Sequence, residues 1–303
     1  MAPLHRPGVE PGKNAVTALN SVSERGYPSG WLACDRAYSN QKPENYQLPA
    51  MSLGYRLIHD YREDQLGIKG NVEGFILVEG GLFCPSMPDQ LVNATSDLQA
   101  KKISQEVYDV RIQERAKYRA RPKEGPDSEG HQRFQCPAAG NSPTARCPLK
   151  EASISQPKPV AIRIASKPDV AANPPKACRQ KSVMVAPELG AKFRQSLLYG
   201  SKEWHDRYAT LRNSIEGMNG FLKDGAHGAL ADPLRRRIRG MAAQSVLVAF
   251  VVMAANIRKI DGFLKRKPVS GDRRRQRRRR TRGLQEFRPV SAQPLSPNRT
   301  SPD

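Results

Sequence analysis

The chain has 303 residues, enough for one large domain or two ordinary ones, and 50 Lys and Arg against 29 Asp and Glu give it a net charge of +21. Such a surplus predicts salt-sensitive binding to a polyanion, nucleic acid first. The N-terminal segment has no apolar secretory signal, and the apolar run at residues 246–255 is too short to span a membrane. The five cysteines are an odd number, so the sequence argues against a secreted, disulfide-stabilised or membrane protein and predicts the cytoplasm.

The first seventy residues predict helices and strands in alternation, as in an α/β layer. The order is helix, strand, helix, strand, over residues 14–25, 31–34, 43–53 and 55–61. Gly26 stands where the first helix would end. The strand at residues 31–34 is a short apolar run that stops abruptly at Asp35, as a buried parallel strand does.

From about residue 70 the pattern becomes irregular. A Gly-Gly pair between apolar runs at residues 75–83 predicts a hairpin, and residues 95–119 predict a long, highly charged helix. The following stretch is rich in Pro, Ser and Gly, with short strand candidates at residues 160–164 and 183–185. We therefore predict an insertion over residues 70–195 that is partly disordered and has little packing of its own.

Regular structure is predicted again at Ser201, a suitable N-cap for a helix that runs to Lys223. A second helix over residues 234–264 contains the stretch SVLVAFVVMAANI, which is hydrophobic on all sides and predicts burial in the core. The Arg-rich tail from Lys265 to Asp303 carries +10 and has almost nothing to bury, which predicts disorder and loose phosphate contacts. The predicted segments are residues 1–69, 70–195, 196–264 and 265–303.

One face of the helix after Ser201 carries a polar stripe whose members fall within about 80° of one another. The stripe consists of Tyr208, Arg212, Glu216 and Lys223. From the spacing alone it is either a solvated face with i,i+4 pairing or a functional site. Asp35 has the same two interpretations, since an Asp at a strand end commonly begins a turn or caps a helix.

The stripe and the strand-end Asp together resemble two motifs of bacterial DDE-type insertion-sequence transposases. The stripe matches the Y-R-E-K signature of that family in its Arg-x3-Glu-x6-Lys part, with one extra residue between Tyr208 and Arg212. The segment GWLACDRAYSN around Asp35 is similar to the family's second-aspartate motif, an apolar strand that ends in Asp and is followed by a small and an aromatic residue.

The resemblance covers about residues 7–265 and implies a ribonuclease-H-like fold with Mg²⁺-dependent cleavage and joining of DNA. It implies that Asp35 is the second and Glu216 the third metal-binding catalytic carboxylate. The implied DNA contacts are Tyr208, Arg212 and Lys223. The implied partners are insertion-element DNA and either a second copy of the chain or a full-length transposase. No membrane and no small-molecule substrate is expected.

The first catalytic carboxylate of the family lies on the first of three strands that precede the first helix. Only about thirty residues precede Asp35 here, and they predict a single helix. The expected fold is therefore α/β, a partial ribonuclease-H-like fold without its first three strands. The expected function is that of an inactive or N-terminally truncated transposase. The alternative is a non-catalytic basic DNA-binding protein that regulates or inhibits a full-length relative.

Four cysteines fall within residues 70–195, and three of them precede a proline, which suits the tight turns of a zinc knuckle. They are Cys84, Cys136, Cys147 and Cys178. A tetrahedral zinc bound by four cysteines would stabilise a region that has little core of its own. The chain contains no Cys-x2-Cys pair, so scattered free thiols remain the alternative. Cys34, beside Asp35, is interpreted as a small buried apolar residue of the strand.

Overall fold

The computed structural model describes residues 8–155, 161–234 and 237–265, and it has the predicted mixed α/β composition. The helices are α1 (Pro11–Glu24), α2 (Arg36–Ser39), α3 (Gln47–Ser52), α4 (Asp89–Val92), α5 (Ala94–Gln99), α6 (Gln105–Lys117), α7 (Glu151–Ser155), α8 (Pro168–Ala172), α9 (Lys176–Arg179), α10 (Lys202–Lys223) and α11 (Met241–Leu264). The strands are β1 (Trp31–Cys34), β2 (Arg56–His59), β3 (Ile68–Val72), β4 (Phe75–Val78), β5 (Gly81–Phe83), β6 (Arg121–Pro122), β7 (Gln132–Gln135), β8 (Ala145–Arg146), β9 (Ile162–Arg163) and β10 (Ser182–Val185). The chain divides into two units, Met1–Gly220 and Phe221–Asp303. Most of the predicted tail, residues 266–303, lies outside the described residues.

The strands β1 and β2 pair in parallel, with Cys34 opposite His59. The predicted strand at residues 31–34 is confirmed to the residue, and Asp35 follows it directly. Because the two strands share this register, Asp60 follows β2 at the position equivalent to Asp35. The fold therefore sets two acidic side chains at the same edge of the parallel pair.

The predicted hairpin is confirmed as the antiparallel pair β4–β5. Its turn is one residue earlier than the Gly-Gly pair suggests, at Glu79 and Gly80. Both residues have positive φ, 44° and 81°, as the two central positions of a type I′ hairpin turn require. The strand β3 extends this hairpin into a three-stranded sheet. The later strands form a second antiparallel sheet, β10-β7-β6, and a short parallel pair, β8–β9.

The prediction that residues 70–195 have little packing of their own is wrong. Two of the hydrophobic clusters in the described chain lie almost entirely within this region. One is centred on Phe83 and Met87, and the other on Phe75 and Leu77, all nearly inaccessible to solvent. The strands of this region are only two to five residues long, so the sequence shows no period long enough to reveal the core.

The charged helix predicted over residues 95–119 is divided in two. The helix α5 ends at Gln99, Lys101 adopts a left-handed conformation with φ of 56°, and Ser104 caps the start of α6. The Ser104 hydroxyl accepts a hydrogen bond from the backbone N–H of Val107 at 3.4 Å. A hydroxyl at an N-cap satisfies a backbone donor that a continuous helix would bond internally.

A buried ion pair joins α6 to the turn of the β4–β5 hairpin. Arg115 binds the Glu79 carboxylate, and the side chains are 0% and 1% exposed. Arg115 also donates to the carbonyl oxygens of Leu91, at 2.7 Å, and Val92, at 3.3 Å. The Thr95 hydroxyl donates to Glu79 Oε2 at 2.9 Å. This network fixes the hairpin turn against α4, α5 and α6.

The predicted burial of the last helix is also wrong. The helix α11 begins at Met241, after Gly240 with φ of 89°, and among its residues only Ala255 is buried. Phe250 is 61% exposed and Ile257 is 58% exposed. An apolar composition on all sides does not by itself distinguish a core helix from an exposed one. By length and composition α11 could cross a membrane, contrary to the sequence prediction, but a single such helix is weak evidence for a membrane protein.

Candidate functional site

The carboxyl edge of the β1–β2 pair carries Asp35 and Asp60, and this edge of a parallel sheet is where ligands commonly bind. Asp35 is exposed and accepts a hydrogen bond from the backbone N–H of Arg36, so it caps α2. The Asp60 carboxylate accepts hydrogen bonds from Arg36 Nε at 3.0 Å and from the Tyr199 hydroxyl at 2.6 Å. These donors hold both carboxylates in place.

Asp60 is a residue that the sequence analysis missed. The predicted strand at residues 55–61 includes Asp60, whereas β2 ends at His59, so the sequence analysis placed Asp60 inside the strand rather than at its end. Hydrogen bonding to Asp60 raises the pKa of Arg36, and the carboxylate's charge raises it further. The guanidinium is therefore a fixed positive charge between the two strand ends.

The first half of α10 packs against this edge. Ser201 caps the helix as predicted, its hydroxyl accepting from the backbone N–H of Trp204 at 3.2 Å. Trp204 is buried and stacks on Tyr208, with 4.8 Å between ring centroids and 12° between the planes. Trp204 also contacts the Tyr199 ring, with 4.6 Å between centroids, and both α10 rings belong to one hydrophobic cluster with Ile58 of β2. Two segments separated by more than 130 residues in sequence thus form one surface.

Tyr208 places the polar stripe within reach of the strand-end acids. Partial burial raises the pKa of its phenol, and the charges of Asp60 and Asp35 raise it further, while Arg212 lowers it. Tyr208 packs in one cluster with Trp31 and Ile58, which lie on the two strands that end before Asp35 and Asp60. The fold therefore brings the front of the stripe together with Asp35.

The remainder of the stripe forms the i,i+4 pairs of the solvated-face interpretation. Arg212 donates to the Tyr208 hydroxyl at 3.1 Å and to Glu216 Oε1 at 2.8 Å. These bonds, the one to Tyr208 first, raise the pKa of the exposed guanidinium. Glu216 is exposed and lies about 12 Å beyond Tyr208 along the helix axis. Lys223 is exposed at the last residue of the helix.

The acids of this surface do not fit a two-metal centre as they are arranged. Within the described residues, no group of three or more His, Cys, Asp or Glu side chains could hold a metal ion. Each candidate carboxylate also has a donor of its own, since Asp35 caps α2, Asp60 binds Arg36, and Glu216 binds Arg212. Mg²⁺ binding by Asp35 and Glu216 therefore stays a prediction.

Arginine side chains also surround the first aromatic residue of β1. The Arg56 guanidinium lies 4.0 Å from the centroid of the Trp31 ring, and that of Arg207 on α10 lies 5.5 Å from it. Both arginines are exposed. With Arg212 they give the surface formed by α10 and the β1–β2 pair cationic groups suited to phosphate.

All five cysteines are buried and free of disulfide bonds. Burial raises the pKa of Cys84, and it raises that of Cys178 to about 11. Three of the four predicted zinc ligands, Cys84, Cys136 and Cys147, lie in one hydrophobic cluster. Cys34 is confirmed as a buried residue of β1, and its thiol faces the carbonyl oxygen of Ile58 at 4.0 Å.

Comparison with known proteins identifies no family for this chain. No family model, no curated protein and no solved structure matches the chain. The resemblance to DDE-type transposases therefore rests on the residues around Asp35 and on the stripe of α10.

His59 lies one residue before Asp60, and its imidazole is buried with no hydrogen-bond partner for Nε2 in the described part of the chain. Burial lowers its pKa from 6.5 to about 4. The unfolded chain therefore binds more protons than the folded chain between these values. The contribution of His59 to the free energy of unfolding is fully present above pH 6.5 and is lost as the pH falls towards 4.

We expect the free energy of unfolding to fall by about 1 kcal/mol from pH 7 to pH 5.5 because of His59. Urea unfolding at the two pH values measures this difference, and this range avoids most carboxylate titration. His59→Leu should reduce the difference by about that amount. An unchanged difference in the variant would contradict the assignment to His59.

Proposed function

We propose that this chain is an inactive copy of a DDE-type transposase, with a ribonuclease-H-like core, that retains DNA binding. One observation carries the proposal. The segment around Asp35 and the first turns of α10 are far apart in sequence but contribute to one hydrophobic cluster, in which Trp31 packs with Tyr208 at the front of the stripe. Glu216 lies about 12 Å further along the helix. On this proposal the protein acts in the cytoplasm on insertion-element DNA. It does so together with a second copy of itself or with a full-length transposase.

Charge supports DNA as the partner. The chain carries +21, and the surface formed by α10 and the β1–β2 pair displays exposed arginines. The guanidinium groups of Arg56 and Arg207 face the Trp31 ring, and that of Arg212 pairs along the helix. Arginine side chains held in this way are suited to phosphate oxygens. These contacts would position the duplex without reading its sequence.

We expect the full chain to bind duplex DNA with an affinity that falls steeply as salt rises. Arg207→Ala and Arg212→Ala should each weaken binding about equally for all sequences and reduce the salt slope by about 1. Arg133→Ala is the matched control, because it removes a partly exposed guanidinium that pairs with Glu124 elsewhere in the same unit. Fluorescence anisotropy over a salt series measures the slopes. Equal losses in the control and in both α10 variants would contradict binding through α10.

A second candidate function is strand cleavage by the chain itself, and the proximity of Tyr208 to Asp35 and Asp60 favours it. If the proposed function is right, the chain with Mg²⁺ nicks supercoiled plasmid no faster than the background rate. The reason is that arginines or backbone donors already bind the acids. Mg²⁺-dependent nicking that Asp35→Asn and Glu216→Gln abolish would replace the proposed function by this candidate. Asp206→Asn is the control, since Asp206 forms only an exposed i,i+4 pair with Lys202 on α10.

A further inference from the structure

Three buried cysteines of the region 70–195 begin the same kind of turn. In each turn the cysteine is the first residue, proline is the second, and the N–H of the fourth residue donates to the cysteine carbonyl oxygen. The donors to Cys84, Cys136 and Cys147 are Met87, Ala139 and Lys150, at 3.0, 2.9 and 2.9 Å. Proline at the second position fixes the backbone of such a turn in advance. Three identical turns at unrelated points of the chain indicate a shared requirement on the cysteine side chain.

Hydrogen bonds tie these turns to the segment that holds the fourth cysteine. The N–H of Cys136 donates to the carbonyl oxygen of Lys181 at 3.2 Å, and Lys150 Nζ donates to that of Gln180 at 2.8 Å. Cys178 lies two residues before Gln180, in α9. Cys84, Cys136 and Cys147 belong to one buried hydrophobic cluster, and Cys178 is buried as well. Four thiols from four separate segments are therefore gathered inside one small buried region.

We propose that Cys84, Cys136, Cys147 and Cys178 bind one structural zinc ion. The thiols do not converge on one point in this arrangement, so their side chains must rotate as the ion binds. Each thiol releases its proton to solvent as its Zn–S bond forms, which leaves a centre of net charge −2. Two cations lie beside the turns and offset this charge: Arg121 donates to the carbonyl oxygen of Ala139 at 2.8 Å, and Lys150 ends the Cys147 turn.

The site explains how strands of two to five residues can hold together between β5 and β10. Structural zinc contributes its binding free energy to folding. It would join the end of β5, the two turns that follow β7 and β8, and α9 at one point. This inference depends on the cysteines and their turns, so its test is independent of the test of DNA binding by α10.

The test is the zinc content of the full chain purified under reducing conditions without chelator. We expect about one zinc per chain, the content of a single four-cysteine site. Serine substitution at any of the four cysteines should lower the zinc content severalfold. Cys34→Ser is the matched control, because Cys34 is equally buried but lies on β1, and it should retain full zinc content.

Cobalt substitution keeps the proposal testable if the serine variants fail to fold. The unaltered chain with Co²⁺ in place of zinc should show the strong visible and near-ultraviolet absorption of tetrahedral thiolate coordination. A folded chain that contains no zinc and gives no such absorption would overturn the proposal. Equal zinc content in the Cys84→Ser and Cys34→Ser variants would overturn it as well.

Discussion

Replacing Arg115 by Met is expected to lower the free energy of unfolding by about 3–5 kcal/mol. The substitution keeps an unbranched side chain of similar length but leaves the Glu79 carboxylate buried without its cation. Glu79 is 1% exposed and would keep only the Thr95 hydroxyl as a donor at Oε2. Its other oxygen, Oε1, already lacks a hydrogen-bond partner among the described residues. A buried charge without compensation is among the most destabilising changes in a protein core.

Two further variants separate the buried charge from the loss of packing. Arg111→Met, on the same helix, removes a partly exposed ion pair with Asp97 and should cost at most about 1 kcal/mol. Adding Glu79→Gln to Arg115→Met should recover part of the loss, because the amide is easier to bury than the carboxylate. Chemical denaturation of the four proteins measures these differences. A cost for Arg115→Met no larger than that for Arg111→Met would refute the importance of the buried pair.

The second large effect is expected at Gly80, where alanine should cost about 2–4 kcal/mol. Gly80 has φ of 81°, which disfavours any residue with a Cβ. A Cβ there would also collide with the Tyr61 hydroxyl and would lie 2.6 Å from Gln195 Cγ and 2.8 Å from the carbonyl oxygen of Phe193. The last contact is with backbone, which has little freedom to move aside.

The same collision would disturb the edge that carries the candidate site. Gln195 donates to the Tyr61 hydroxyl at 2.8 Å and accepts from Trp204 Nε1 at 3.0 Å. Gly80→Ala should therefore weaken DNA binding as well as stability. Gly26→Ala is the control, because Gly26 has φ of 75° but no atom within 4 Å of an added Cβ. Equal losses of stability in the two variants would show that backbone strain alone accounts for the effect.

Sequence patterns predicted the parts of the fold that depend on local signals. The strand β1 was predicted to the residue because an apolar run ends at a charged residue, and α10 because Ser201 can cap it. The core of residues 70–195 could not be predicted, since its strands are too short to show a period. The exposure of α11 depends on what packs against it, which composition does not encode.

The candidate site was predictable only in part for the same physical reason. Asp35 and the stripe of α10 are visible as motifs, but the role of Asp60 depends on the parallel register of β1 and β2. The partners of Arg212 were open at the sequence level, because a helix face shows which side chains are neighbours but not which of them are engaged. The cysteine turns show as Cys-Pro pairs in the sequence, but their gathering in one region does not.

The hydrogen bond between Gln195 and Tyr61 joins residues 134 positions apart. Contacts of such sequence separation form only after a long loop has closed, which slows folding. The surface shared by β1, β2 and α10 is therefore complete only when both ends of this loop have docked. A protease cut within the loop, followed by separation of the pieces, would leave neither fragment with an intact surface.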